Sequence, residues 1–179
     1  ASAIQVALTV LGLHPEDEVI TSPMSCLASN QPLQTFGLKI VWADIDPLTG
    51  TLDPESVRQK ITDKTRLIFH NHFCGYVYVD EVNMIGMEHG IPVIDDCVEA
   101  FGGKYKGNYT GNLGTDVTIF SFQTVRLPNT IDGGAIVFKD TDLYKKALLT
   151  RDFGIRRDIF RDENNEISAK CDISLLGYG

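Results

Sequence analysis

Apolar positions along the chain follow a helical period in some segments and a strand period in others, and the two alternate. Ile4, Ala7, Leu8 and Leu11 share one helical face, which predicts a helix over Ala1 to Leu13 with one buried side. His14-Pro15-Glu16-Asp17 is a turn, and Glu18 to Thr21 reads as a short strand. A second helix is expected over Ser25 to Phe36, closed by Gly37 in the left-handed position. Lys39 to Ala43 is the next strand. Asp53-Pro54-Glu55 joins a capping carboxylate to a first-turn proline and starts a helix that runs to about Ile61. Arg66 to His70 is a β-branched and aromatic strand. Asp80 is expected to cap a helix over Glu81 to His89, with Gly90 as its stop, and Pro92 to Asp95 is a buried strand. After a Gly-rich hairpin (Gly102 to Gly114) come strands at Val117 to Phe122 and Gly134 to Phe138. Asp140 then starts a helix through about Thr150.

Strands alternating with helices over short connections call for an α/β fold: three layers, α/β/α, around a mostly parallel sheet. No repeat or low-complexity linker interrupts it, so a single domain over 1–179 is expected. Ligands of such sheets bind beyond the strands' carboxyl ends. The polar residues there are His70, His72, Asp95, Asp96, Ser121 and Gln123. His70 and His72 share a strand face, so a metal hydrolase built on them with Asp95 and Asp96 is one reading. Asp95-Asp96 serves equally as a helix cap or as a cofactor partner.

The formal charge of -8 argues against nucleic acid as a partner. Arg151, Arg156, Arg157 and Arg161 are interleaved with Asp152, Asp158, Asp162 and Glu163, as on a solvated mixed-charge segment. Cys26, Cys74, Cys97 and Cys171 have no CxxC spacing and read as reduced thiols of a cytoplasmic protein. No signal segment or apolar run of membrane-spanning length is present, and no membrane partner is expected. The chain opens inside a helical pattern and stops at LLGYG without a stop signal, so both ends are expected to be truncated.

Four collinear segments carry a resemblance: SAIQVALTVLGLHPEDEVITSP, VWADIDPLTGTLDPESV, HGIPVIDDCVEAFGGKYKGNYTGNLG and FSFQTVRLPNTIDGGAIVFKD. Together they resemble the DegT–DnrJ type of pyridoxal-phosphate-dependent aminotransferases, which act on nucleotide-linked keto-sugars and share the aspartate aminotransferase fold. The resemblance covers nearly the whole chain. It implies the large, cofactor-binding domain, without the family's N-terminal segment and small C-terminal domain. It also implies a homodimer or larger assembly and, if active, a nucleotide-sugar and an amino-acid donor as substrates.

By that resemblance Ser2 and Ala3 lie at a helix N-terminus that receives the cofactor phosphate; a small residue packed in a helix is the alternative. Asp96 matches the carboxylate that pairs with the pyridine nitrogen and keeps it protonated. Ser121, in Phe120-Ser121-Phe122, matches a phosphate-binding hydroxyl, or else is a strand serine bonded to backbone. His72 matches a histidine near the active site. Glu99 stands where the family usually carries Gln or His, and its charge is expected to repel the cofactor's phenolate. Cys26 stands where an aromatic ring commonly stacks.

Arg126 occupies the position of the lysine that bonds the cofactor, and Ile131 replaces the first glycine of the following turn. A guanidinium stays protonated, so it neither forms the imine nor shuttles a proton. Lys104 and Lys106 fall on the hairpin and Lys139 after the last strand, so they are no substitutes. Any pyridoxal phosphate is therefore expected to be non-covalent. A family branch that dehydrates keto-sugars carries histidine there, which retains base chemistry that arginine lacks. The resulting expectation is an aminotransferase homologue or a pseudoenzyme, with Arg126 free to pair with a phosphate or carboxylate.

Overall fold

The computed structural model describes residues 1–171, 173 and 175–178. Six strands form one sheet: β1 (Glu18–Thr21), β2 (Lys39–Trp42), β3 (Thr65–Asn71), β4 (Val93–Asp96), β7 (Val117–Ser121) and β8 (Gly134–Phe138), in the order β2-β1-β3-β4-β7-β8. The first five are parallel, and only β8 runs antiparallel, against β7. The hairpin consists of β5 (Lys104–Tyr105) and β6 (Asn108–Tyr109).

Side-chain alternation sends neighbouring strand residues to opposite layers. Val19, Leu67, Phe69 and Ile94 pack against Ile4, Ala7 and Leu8 of α1 (Ser2–Val10) and Leu33 of α2 (Leu27–Thr35). Ile20, Ile68 and Val93 pack instead against Val57 of α3 (Pro54–Lys60) and Val82 and Ile85 of α4 (Asp80–His89). The last helix, α5 (Thr141–Arg151), lays Ala147 on Val6 and Val10 of α1. The α/β/α architecture expected from the pattern is the one observed.

Helix ends differ from expectation where local chemistry decides. The first helix ends at Val10, not Leu13, because Gly12 (φ +77°) reverses the chain and the Leu13 N–H returns to the Leu8 carbonyl at 3.1 Å. Gly37 does the same for α2, with Leu38 N–H on the Leu33 carbonyl at 3.2 Å. Helix α2 begins at Leu27 with Cys26 as its N-cap, rather than at Ser25. Asp53 and Asp140 cap α3 and α5 through their carboxylates, as expected. Asp80 does not cap α4: Val79 holds the N-cap position. The Asp80 carboxylate accepts instead from the Tyr105 hydroxyl at 3.1 Å and from the Lys106 ammonium, because the hairpin packs over the start of α4.

Candidate active site

The carboxyl ends of β4 and β7 and the start of α1 face one cleft of about 410 Å³. Ser2, Ala3, Cys26, Ser121 and Arg126 border it. A recess sharing the walls Cys26, Ser29 and Val98 holds Asp96, Glu99 and His72. The candidate residues, scattered from position 2 to position 126, therefore meet at one end of the sheet.

At the α1 end of the cleft, Ala1 is the N-cap of α1 and makes no side-chain cap, so among the described residues no side chain takes up the first-turn N–H groups. Gly134 lets β8 pass under this helix start. A Cβ there would meet the Phe120 carbonyl at 3.1 Å and the Ala3 Cβ at 3.6 Å. The Ser121 hydroxyl accepts a long hydrogen bond from Gln123 N–H at 3.4 Å and is half-buried. Free N–H groups, a helix N-terminus and a hydroxyl make this a fit for an anion.

At the opposite end, Asp96 is buried and accepts from Asn71 Nδ2 at 3.0 Å and from Val98 N–H at 3.3 Å. Burial raises its carboxyl above the usual range, against the opposing pull of Ser29, the Val98 N–H and Asn71. A cationic N–H donor in the recess would offset that cost, which suits a pyridinium nitrogen. The donor set thus fits pyridoxal phosphate, with an anion site at one end and a buried carboxylate at the other.

Between these ends lies an ion pair that residue-by-residue reading missed. Arg126 Nη1 donates to Glu99 Oε1 at 2.9 Å, and Cys74 N–H donates to Glu99 Oε2 at 2.8 Å. Burial works to raise the Glu99 carboxyl, but Arg126 and the Cys74 N–H outweigh it and hold it below the usual range. Arg126 contacts this carboxylate through Nη1, while its buried Nε has no partner. Lys104, Lys106 and Lys139 do not border the cleft. Ile131 takes a left-handed backbone (φ +70°).

Asp95 parts company with Asp96. Being adjacent on β4, they face opposite layers, so Asp95 joins His70 and His72 while Asp96 faces the recess. The four-residue metal grouping of His70, His72, Asp95 and Asp96 is corrected to a cluster of three.

The model of the DegT/DnrJ/EryC1/StrS aminotransferase family matches residues 1–178. The chain belongs to this family. It is 37% identical over 155 residues to a pleiotropic regulatory protein of Geobacillus stearothermophilus, covering 86% of this chain and 42% of that one. It is also 37% identical over 142 residues to the UDP-2-acetamido-2-deoxy-3-oxo-D-glucuronate aminotransferase of Pseudomonas aeruginosa, covering 79% and 40%. Among solved structures, the aminotransferase from Psychrobacter cryohalolentis superposes with a TM-score of 0.87 at 28% identity, over 98% of this chain and 45% of that one. The fold is that of the pyridoxal-phosphate-dependent, aspartate aminotransferase-like enzymes. The chain spans less than half the length of these relatives. No helix among the described residues is long and apolar enough to cross a membrane.

Proposed function

We propose that this chain is the cofactor-binding domain of a homologue of the nucleotide-sugar aminotransferases of polysaccharide and glycan biosynthesis. It binds pyridoxal phosphate without a covalent bond and does not transaminate on its own. The observation that supports this reading is the Arg126–Glu99 ion pair at 2.9 Å, which engages the residue that the resemblance aligns with the lysine amine.

Pyridoxal phosphate, when bound, supplies an electron sink for carbanion chemistry. The start of α1 and Ser121 would hold its phosphate, and Asp96 would accept from its ring nitrogen. Cys26 borders the ring site with a thiol rather than a stacking aromatic. Arg126 supplies fixed positive charge and cannot take or give a proton at neutral pH. Its charge is already paired with Glu99, so what it leaves for a ligand such as a sugar-linked diphosphate is the unpartnered Nε donor.

The protein works as a homodimer or larger assembly in the cytoplasm. Val125 and Leu127, exposed at 77% and 90% on the loop beside the cleft, support self-association, and four unpaired cysteines support a reducing compartment.

Borohydride reduction with pyridoxal phosphate, followed by peptide mass spectrometry, tests the reading. Saturable binding without a covalent adduct is expected, with an adduct at position 126 appearing in Arg126→Lys. Cofactor fixed at Lys104, Lys106 or Lys139 of the unaltered chain would place the site elsewhere.

A further inference from the structure

On the face of the sheet turned away from α1 and α2, three groups that the cofactor reading does not use come together. His70 lies in β3, His72 directly after it, and Asp95 opposite His70 in the parallel register of β4. All three are buried, with side-chain exposures of 0%. One donor atom from each lies within 4.8 Å of those of the other two. Among the described residues this is the one grouping of its kind.

The polar atoms here are not spent on each other. His70 Nδ1 is 3.5 Å and His72 Nε2 is 3.1 Å from Asp95 Oδ1, yet neither approach is aligned as a hydrogen bond. All four imidazole nitrogens and Asp95 Oδ1 are left without a partner. Orphaned buried polar atoms each cost free energy, and three of these, His70 Nδ1, His72 Nε2 and Asp95 Oδ1, face one another and call for a common partner. The other carboxylate oxygen is anchored: Thr115 Oγ1 donates to Asp95 Oδ2 at 2.6 Å, and Asn83 Nδ2 donates to Thr115 Oγ1 at 3.0 Å. That chain turns Oδ1 toward the two rings, as hydrogen bonds to the far oxygen of a metal-ligating carboxylate do.

The spacing also fits a metal. Bonds of about 2.0–2.1 Å at the tetrahedral angle put neighbouring ligand atoms about 3.3 Å apart; the two carboxylate–imidazole separations bracket that value, and the facing imidazole nitrogens lie within 4.8 Å of each other. We infer that His70, His72 and Asp95 bind one divalent first-row transition metal of the zinc class. Two imidazoles and a carboxylate suit that class better than calcium or magnesium. His72 also lines the recess beside Asp96, which gives an ion a way in from the cleft. The bound metal clamps β3 to β4 next to Asn71 and Asp96. It holds the strand ends in place, with a water as fourth ligand beside three side chains that are fully buried.

The test uses the full chain without a histidine tag. After dialysis against zinc and gel filtration, one zinc per chain is expected by elemental analysis, with Tm raised by about 5–10 °C at saturation. Cobalt substitution should give visible d–d bands of a tetrahedral site without the near-ultraviolet charge transfer of a thiolate. X-ray absorption should show nitrogen and oxygen ligands only. Stoichiometry should hold in a Cys26→Ser/Cys74→Ser variant and fall to zero in His70→Gln and Asp95→Asn. Less than a tenth of an equivalent retained, a sulfur ligand in either spectrum, or full retention in His70→Gln would overturn the inference. The spectra are read on the unaltered protein, so a variant that fails to fold does not rescue it.

Discussion

Arg126 and Glu99 stand 27 positions apart and meet as an ion pair at 2.9 Å, so two residues that the sequence reading treated separately form one structural unit. On the proposed reading, Glu99 taken singly would place a repelling carboxylate near the cofactor's oxygen, and Arg126 would stand in place of the amine. As a pair, each neutralises the other, and the Cys74 N–H fixes the second carboxylate oxygen. The pair explains how the chain tolerates both changes in a cleft that is only partly open to water.

Glu99→Gln tests that unit through pH. Because the folded-state pKa of Glu99 lies below its unfolded value, the stability it contributes is present above about pH 4.3 and is lost as pH falls through the folded value. Urea denaturation should show Glu99→Gln less stable than the parent by roughly 1 kcal/mol at pH 7. The gap should close toward pH 3. An equal gap at both pH values would mean that shape, not charge, holds the contact.

Ile131 gives a second prediction. A β-branched residue at φ +70° carries backbone strain, and its side chain, 81% exposed, gains little from burial. Ile131→Gly removes a strain of roughly 1–2 kcal/mol and adds about 0.5–1 kcal/mol of chain entropy to the unfolded state. A net stabilisation of roughly 0.5–1 kcal/mol is expected in thermal or chemical melts. A loss of stability would show that Ile131 makes apolar contacts in the assembled protein.

Self-association is tested on the same loop. Multi-angle light scattering should give at least twice the 19.8 kDa chain mass. Replacing exposed Val125 and Leu127 with serine should shift the population toward monomer while leaving the monomer's circular dichroism unchanged. A parent that stays monomeric at high concentration would leave these apolar side chains without a covering surface of their own kind.

Much of the fold was legible because burial imposes periods. The switch between helical and strand spacing located the main helices and the sheet strands, with shifts of a few residues at their ends. Capping chemistry was legible at Asp53 and Asp140, where the side chain serves its own helix. It misled at Asp80, whose carboxylate is drawn to Tyr105 and Lys106 of a hairpin that local sequence cannot position. The candidate site was legible wherever it ends a strand. Asn71 could have been found in the same way, since it ends β3 in register with Asp96. Thr115 and the Arg126–Glu99 contact could not, because each depends on how loops fold back over the sheet. Asp95-Asp96 shows the limit from the other side: adjacent residues on one strand serve opposite faces, a point that strand alternation already contained.

The last prediction separates the two ends of the cofactor site by crossing two substitutions with two ligands. If Ser121 and the start of α1 hold a phosphate, Ser121→Ala should weaken pyridoxal phosphate by about 5-fold, the value of one hydrogen bond. Pyridoxal itself has no phosphate, so its weaker binding should not change. Asp96 acts at the ring nitrogen, which both ligands share. Asp96→Asn replaces a charged acceptor in a buried recess, so both ligands should lose affinity by roughly 10- to 100-fold. Fluorescence or calorimetric titration of the four combinations reads out the orientation directly. If Ser121→Ala weakens both ligands equally, the serine acts on the ring or on the strand itself. If Asp96→Asn weakens neither, the carboxylate serves Asn71 and Val98 alone, and the ring nitrogen lies elsewhere.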